Sequence, residues 1–160
     1  MHDVKINDVA PIVRLADGAL VTSMTKWAWP GPRGAPVFNF RSEGRRFGQS
    51  DRVLIPVVSF LEYTSPDSPK VKLKDQHEFT MVDAPEFFIA GVVQQECFSM
   101  LTVDPGPDVQ HYHDRQVVVL SAEAAMDWLT LSRPEADILR PSPSGSLQAR
   151  TLRRNGVDVD

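Results

Sequence analysis

An α+β fold, mainly antiparallel β, is what this sequence predicts, and three observations predict it. Short apolar runs of strand length recur from Pro11 to Leu120. Pro, Gly, Asp and Ser clusters that favour turns separate those runs. One segment alone, beginning after Ser121, combines a helix-capping residue with a helical apolar face.

The elements follow in order. Pro11 to Leu15 is apolar-rich, Ala16-Asp17-Gly18 is a turn signal, and Ala19 to Trp27 resumes with β-branched residues, which predicts a β-hairpin. Gly31 to Pro36 reads as a surface loop, because proline lacks a ladder donor and glycine is costly to fix. Val37 to Phe40 is a short strand candidate. Val53 to Leu61 is apolar almost throughout and predicts a strand buried on both faces, bent or placed at an edge by Pro56. Val71-Lys72-Leu73-Lys74 alternates as a half-exposed strand does. Phe87 to Val93, Cys97 to Val103 and Gln116 to Leu120 are three further strands. Ser121 caps a helix running from Ala122 to about Leu131, with Ala125, Trp128 and Leu129 on one face.

The chain has 160 residues, 42% hydrophobic and 24% charged, a size whose core stands without metal or disulfide staples. Residues 1–131 read as a single domain, and 132–160 as a turn or short helix followed by a loosely held tail. The lone Cys97 makes neither an internal disulfide nor a thiolate metal cluster. No apolar run approaches the roughly 20 residues of a membrane helix. The opening residues also lack the order of a signal peptide, so a cytoplasmic protein with no membrane partner is expected. The net charge of -4 and pI near 5.5 exclude a general polyanion binder, so any nucleic-acid contact must come from a local basic patch. No phosphate loop, serine nucleophile elbow or dinucleotide fingerprint is present, and neither a cofactor nor a metal is expected.

Three groups of residues could carry chemistry. Glu62 closes a mostly apolar run, and burial would raise its pKa toward the range useful for acid-base catalysis, whereas a solvated strand end would leave it ordinary. His111 and His113, two apart, would project from one face of an extended segment as ligands or a proton relay. With no third ligand at telling spacing, acid-base work by one of them is the better reading. Trp27 and Trp29 follow Lys26 ahead of Arg41, Arg45, Arg46 and Arg52, a combination that stacks unpaired bases and fixes phosphates. The alternatives are core packing for one Trp and surface pairing of the arginines with Glu43 and Asp51. Cys97 sits in a core strand as a small hydrophobe, which disfavours the alternative of a hydrolase or peptidase working through Cys97 and His113.

The ordered segments Asp8-Val9-Ala10-Pro11, Lys26-Trp27-Ala28-Trp29-Pro30, Asn39-Phe40-Arg41-Ser42-Glu43, Arg52 to Pro56 with Phe60-Leu61-Glu62-Tyr63, and His113 to Leu120 resemble the SRAP (SOS-response-associated peptidase) family. Phe88-Ile89-Ala90-Gly91-Val92 is similar to its Phe-Ala-Gly-Leu strand. The resemblance implies a barrel-like sheet with a few peripheral helices. It also implies binding of single-stranded DNA at abasic sites, where an N-terminal cysteine closes a thiazolidine on the sugar aldehyde. By position it assigns Asn39 to holding the reacting N-terminus, Arg41 to phosphate, Glu62 and His113 to proton transfer, and Trp27 to the wall of the DNA groove.

Departures accompany the match. Residue 2 is His2, with no counterpart of the family's opening Met-Cys-Gly-Arg, which leaves a start further upstream or a member that binds without bonding. An uncovered core in the shorter form favours a homodimer or a mobile site wall. Val53, Ser59, Tyr63 and Gln116-Val117 replace the family's Cys, Gly, Trp and Met-Pro. A binding module for single-stranded nucleic acid without catalysis is the second functional reading.

Overall fold

The hairpin forms as its sequence predicts. Strand β1 (Val9–Ala16) pairs antiparallel with β2 (Ala19–Trp27) from Val9 opposite Lys26 to Ala16 opposite Ala19. Asp17 and Gly18 turn the chain with φ of 50° and 78°, the two positive angles that suit a tight hairpin to the twist of its strands. The computed structural model describes residues 3–160, so His2 lies outside the described residues.

Two minimal strands, β3 (Trp29–Pro30) and β4 (Pro36–Val37), close the Gly-Pro loop, and β5 (Asn39–Arg41) follows. A 3-10 turn at Gln49–Asp51 leads into β6 (Arg52–Val57) and β7 (Phe60–Thr64). The single strand expected from Val53 to Leu61 is thus two, broken at Val58-Ser59 just past the exposed Pro56, which cannot donate to a ladder. The next strand, β8 (Asp75–Met81), lies just beyond the Val71–Lys74 segment expected to be one. That segment is irregular, because its charged residues have no core to alternate against. Strands β9 (Phe87–Gln94) and β10 (Cys97–Val103) match expectation, while the run at 116–120 splits into β11 (Gln116–Val117) and β12 (Val119–Leu120). The split falls at Val118, whose N–H reaches the Leu101 carbonyl while its own carbonyl accepts from Ala90.

Helix α1 (Ala122–Thr130) starts at Ser121, whose side chain accepts the Ala124 N–H, and ends at Leu131 in the left-handed region. A short α2 (Glu135–Ile138) follows. The tail is a correction to the sequence reading: β13 (Leu147–Arg154) and β14 (Val157–Asp158) are ordered strands. Polar spacing hides them, but Leu147, Ala149 and Thr151 face inward in register with Met81, Phe79 and His77. Asp108 fixes the entry to β13 by accepting the N–H groups of Gly145 and Leu147 at 2.9 and 3.0 Å.

The chain divides into two compact units. The first comprises Met1–Pro56, Phe87–Val103 and Val117–Arg140. Its sheet runs β11-β10-β2-β1-β6-β9-β12, and because β9 also pairs β10 the strands close into a ring rather than a full barrel. The ring is thin where Val13 faces Leu54. Trp128 is fully buried in its core among Leu54, Leu101, Val118, Leu120 and Leu129, and its indole N–H donates to the Val53 carbonyl. Gly91 belongs to this packing, since a Cβ there would lie 2.8 Å from Ile55 and 3.0 Å from the Ser99 carbonyl. The second unit comprises Val57–Glu86, Asp104–Gln116 and Pro141–Asp160, built on the sheet β14-β13-β8-β7. The fold is α+β with β dominant, as the sequence predicts.

Candidate functional site

The sequence-predicted residues divide between the units: Trp27, Asn39, Arg41, Arg45, Arg46 and Arg52 are in the first, Glu62 and His113 in the second.

Within the second unit the strand pairing creates a polar row. β7 and β8 place Phe60 opposite Phe79, Glu62 opposite His77 and Thr64 opposite Asp75, and directly opposed residues share a face. The segment 104–116 brings His113 to this row. Its backbone N–H, with that of Tyr112, turns back onto the Val109 carbonyl, and the His113 Nε2 stands 3.9 Å from Oε2 of Glu62. This is an ion-pair separation rather than a hydrogen bond.

The His113 ring has partners in either protonation state. When Nδ1 accepts the Arg115 N–H at 3.0 Å, the ring proton is on Nε2 and faces Glu62. When Nδ1 is protonated it can donate to the Arg115 carbonyl at 3.1 Å or to Asp114 at 3.2 Å. Glu62 keeps only 15% of its side chain exposed. Burial pushes its carboxyl up from 4.5 to about 7; the His113 charge opposes this and Asp114 adds to it. At neutral pH the group is divided between its acid and base forms, the condition for general acid-base work.

Sequence reasoning missed His77 and Tyr112. The His77 ring is buried between the Thr64 and Thr151 hydroxyls at 2.8 and 3.1 Å, and burial holds its pKa low despite Asp75. Tyr112 stands edge-on to both His77 and Phe79, placing an aromatic support one residue before His113. The alternation of buried Asp75, His77 and Phe79 was the available signal, but two of the three are polar and do not register as a core face. His111 is exposed and joins none of these contacts. Among the described residues no group of three His, Cys, Asp or Glu side chains is placed to hold a metal.

In the first unit Asn39 and Arg41 lie on β5, exposed, in register with Met100 and Thr102 of β10. Phe40, between them, turns to the opposite face and meets Trp29 and Phe47 edge-on. Arg45 and Arg46 are exposed, and the Arg45 guanidinium lies 4.2 Å over the Phe40 ring. Trp29 is buried, whereas Trp27 is half-buried, stacked on Phe98 with its N–H donated to the Phe38 carbonyl. Arg52 differs from its neighbours. It is 4% exposed, bonds the Phe47 and Leu129 carbonyls at 3.0 and 3.4 Å, and lies against Trp128. This arginine ties the chain to the end of α1, and its reading as a phosphate contact is withdrawn. Cys97, half-buried at the start of β10 opposite Gln94, has the surroundings expected of a structural residue.

A family model described as SOS response associated peptidase matches residues 20–156. The chain belongs to the SRAP family. Its solved structural relatives include a protein from Bacteroides thetaiotaomicron, with a TM-score of 0.68 and 18% identity over 92% of this chain and 75% of that one. A protein from Bordetella bronchiseptica gives 0.71 and 20% over 92% and 85%. A phage-related protein from the same organism gives 0.72 and 22% over 94% and 81%. At these identities the likeness shows a common fold. No curated protein matches the chain. The SRAP match includes Asn39, Glu62 and His113, and extends through β13, the strand hidden in the tail. Among the described residues no helix is long and apolar enough to cross a membrane.

Proposed function

We propose that this SRAP-family domain binds single-stranded DNA at abasic lesions, with Glu62 and His113 moving protons at the lesion's aldehyde. The observation that carries the reading is the mostly buried Glu62 carboxyl, with the His113 Nε2 3.9 Å from its Oε2 and partners for the ring Nδ1 as either donor or acceptor. Imine formation passes through a carbinolamine whose hydroxyl must leave as water, so it needs a group that gives a proton and recovers it. A carboxyl titrating at about 7 does both at neutral pH. Trp27, Arg41, Arg45 and Arg46 form the proposed DNA contact, with the exposed guanidinium groups taking phosphates and the indole lining the groove. Family membership favours a DNA-damage setting over other uses of an acid-base pair.

The test combines binding with trapping. Fluorescence anisotropy should show tighter binding to a single strand bearing a central abasic site than to the matching intact duplex, with affinity falling as salt rises. With the aldehydic lesion, borohydride should trap a protein-DNA imine. Glu62→Gln should slow trapping by about 100-fold while leaving affinity unchanged. Equal affinity for the single strand and the duplex would remove the DNA reading. Trapping indifferent to Glu62→Gln would reduce the protein to a binding module.

A further inference from the structure

The first unit contains an aromatic cleft to which the abasic-site reading assigns no role. It is an open depression of about 390 Å³ between Phe40, Phe47, Asp51, Val92 and the Gln94–Gln95 corner. That volume falls within the range of small-ligand sites, about 300–1,000 Å³. Its aromatic wall is half-buried rather than closed: Phe40 and Phe47 rest on the core with centroids 6.4 Å apart and planes at 63°. Arg52 and Glu135 hold the Phe47 backbone in place through its carbonyl and its N–H.

The opposite side of the cleft is polar. Gln95 and Glu96 form the two-residue turn between β9 and β10, with Gln94 paired to Cys97. Both turn residues have positive φ, 52° and 60°, a conformation that favours glycine or asparagine. The chain accepts this strain while placing two adjacent amide side chains, exposed, at the mouth of an aromatic cleft. Asp51 adds a carboxylate that can only accept when ionised. Beside the cleft stands the exposed Arg45, held over Phe40.

We propose that this cleft is a nucleobase subsite that takes one unstacked base bearing an exocyclic amine, with adenine the best fit. The base would rest against Phe47, as unpaired bases rest on aromatic side chains, with the Arg45 guanidinium already over the neighbouring Phe40 ring. A glutamine amide can both accept from the adenine amine and donate to its N7, and Asp51 offers a second acceptor for an amine. Thymine presents a carbonyl where adenine presents that amine and would face the Asp51 carboxylate unfavourably. Arg45 is positioned to meet the phosphate of the same nucleotide. The inference rests on the single-stranded DNA reading for its biological use, but the subsite can be tested without a lesion or a strand.

Side-chain amide resonances of the full chain, followed by NMR during titration with deoxyadenosine or thymidine monophosphate, provide that test. Deoxyadenosine monophosphate should shift the Gln94 and Gln95 amides and the Phe47 ring, with at least fivefold tighter binding than thymidine monophosphate. Gln94→Ala combined with Gln95→Gly should abolish the preference; the glycine suits the turn, so the fold should persist. Phe47→Ala should weaken binding of either nucleotide by about 5- to 100-fold. Equal affinity for the two nucleotides, or shifts away from the cleft, would overturn the subsite. Nucleotide binding here with no affinity for abasic single strands would sink the lesion reading and leave the subsite standing; the reverse result would do the opposite.

Discussion

The two units bury different chemistry. The core of the first is apolar and aromatic, centred on Trp128, and the buried cation Arg52 is tied to carbonyls and an indole face. The second buries Asp75, His77, Gln116 and Ser142 in a smaller body and keeps Glu62 mostly out of water. A large apolar core can leave its arginines at the surface, where they can meet a polyanion. In the smaller body, burial raises the titration of Glu62, which suits proton transfer. The proposed function assigns binding to the first unit and chemistry to the second on these grounds.

The contrast can be broken most forcefully at the first unit's centre. Trp128→Ala removes the largest fully buried side chain together with the support beneath Arg52. It should cost about 3–5 kcal/mol, read as a lowered denaturant midpoint. The second unit should respond to Glu62→Gln in the opposite direction. The folded chain holds the Glu62 proton more tightly than the unfolded chain, so wild-type stability falls as pH rises from 4.5 to about 7 and then levels off. Glu62→Gln does not titrate. It should match the wild type near pH 4 and exceed it above pH 7 by on the order of 2 kcal/mol, measured by urea unfolding at both pH values.

Much of the fold was legible in the sequence, although residues 1–131 read as one domain, and the illegible part has physical causes. The hairpin, β9, β10 and α1 announced themselves because their buried positions are apolar and their turns and cap use the expected residues. β8 and β13 did not, because half of what they bury is polar: Asp75 and His77 in one, Thr151 in the other. A pattern search for apolar alternation passes over a strand whose inward face consists of hydrogen-bonding groups. Glu62 and His113 were singled out as site candidates, but their support by Tyr112 and His77 was not. Contacts of that kind depend on strand register, which the local sequence leaves open. Arg52 was misread for the converse reason: among surface arginines nothing in its immediate sequence marks it as buried.

Smaller changes sharpen the comparison. In the first unit, Arg41→Ala, Arg45→Ala and Arg46→Ala should each reduce the slope of log affinity against log salt for a single strand by about 0.7. Arg52→Ala should instead lower stability, because its contacts are internal. In the second, His113→Ala should move the Glu62 midpoint further up by removing the opposing charge, and Asp114→Asn should move it down.

The titration of Glu62 itself, followed through its side-chain carboxyl carbon by NMR in the wild-type chain, tests the central claim most directly. A midpoint near 7 that responds to His113→Ala is the result predicted for a buried carboxyl poised to exchange protons. A midpoint at the ordinary 4.5, unmoved by that substitution, would show a solvated glutamate and contradict the account.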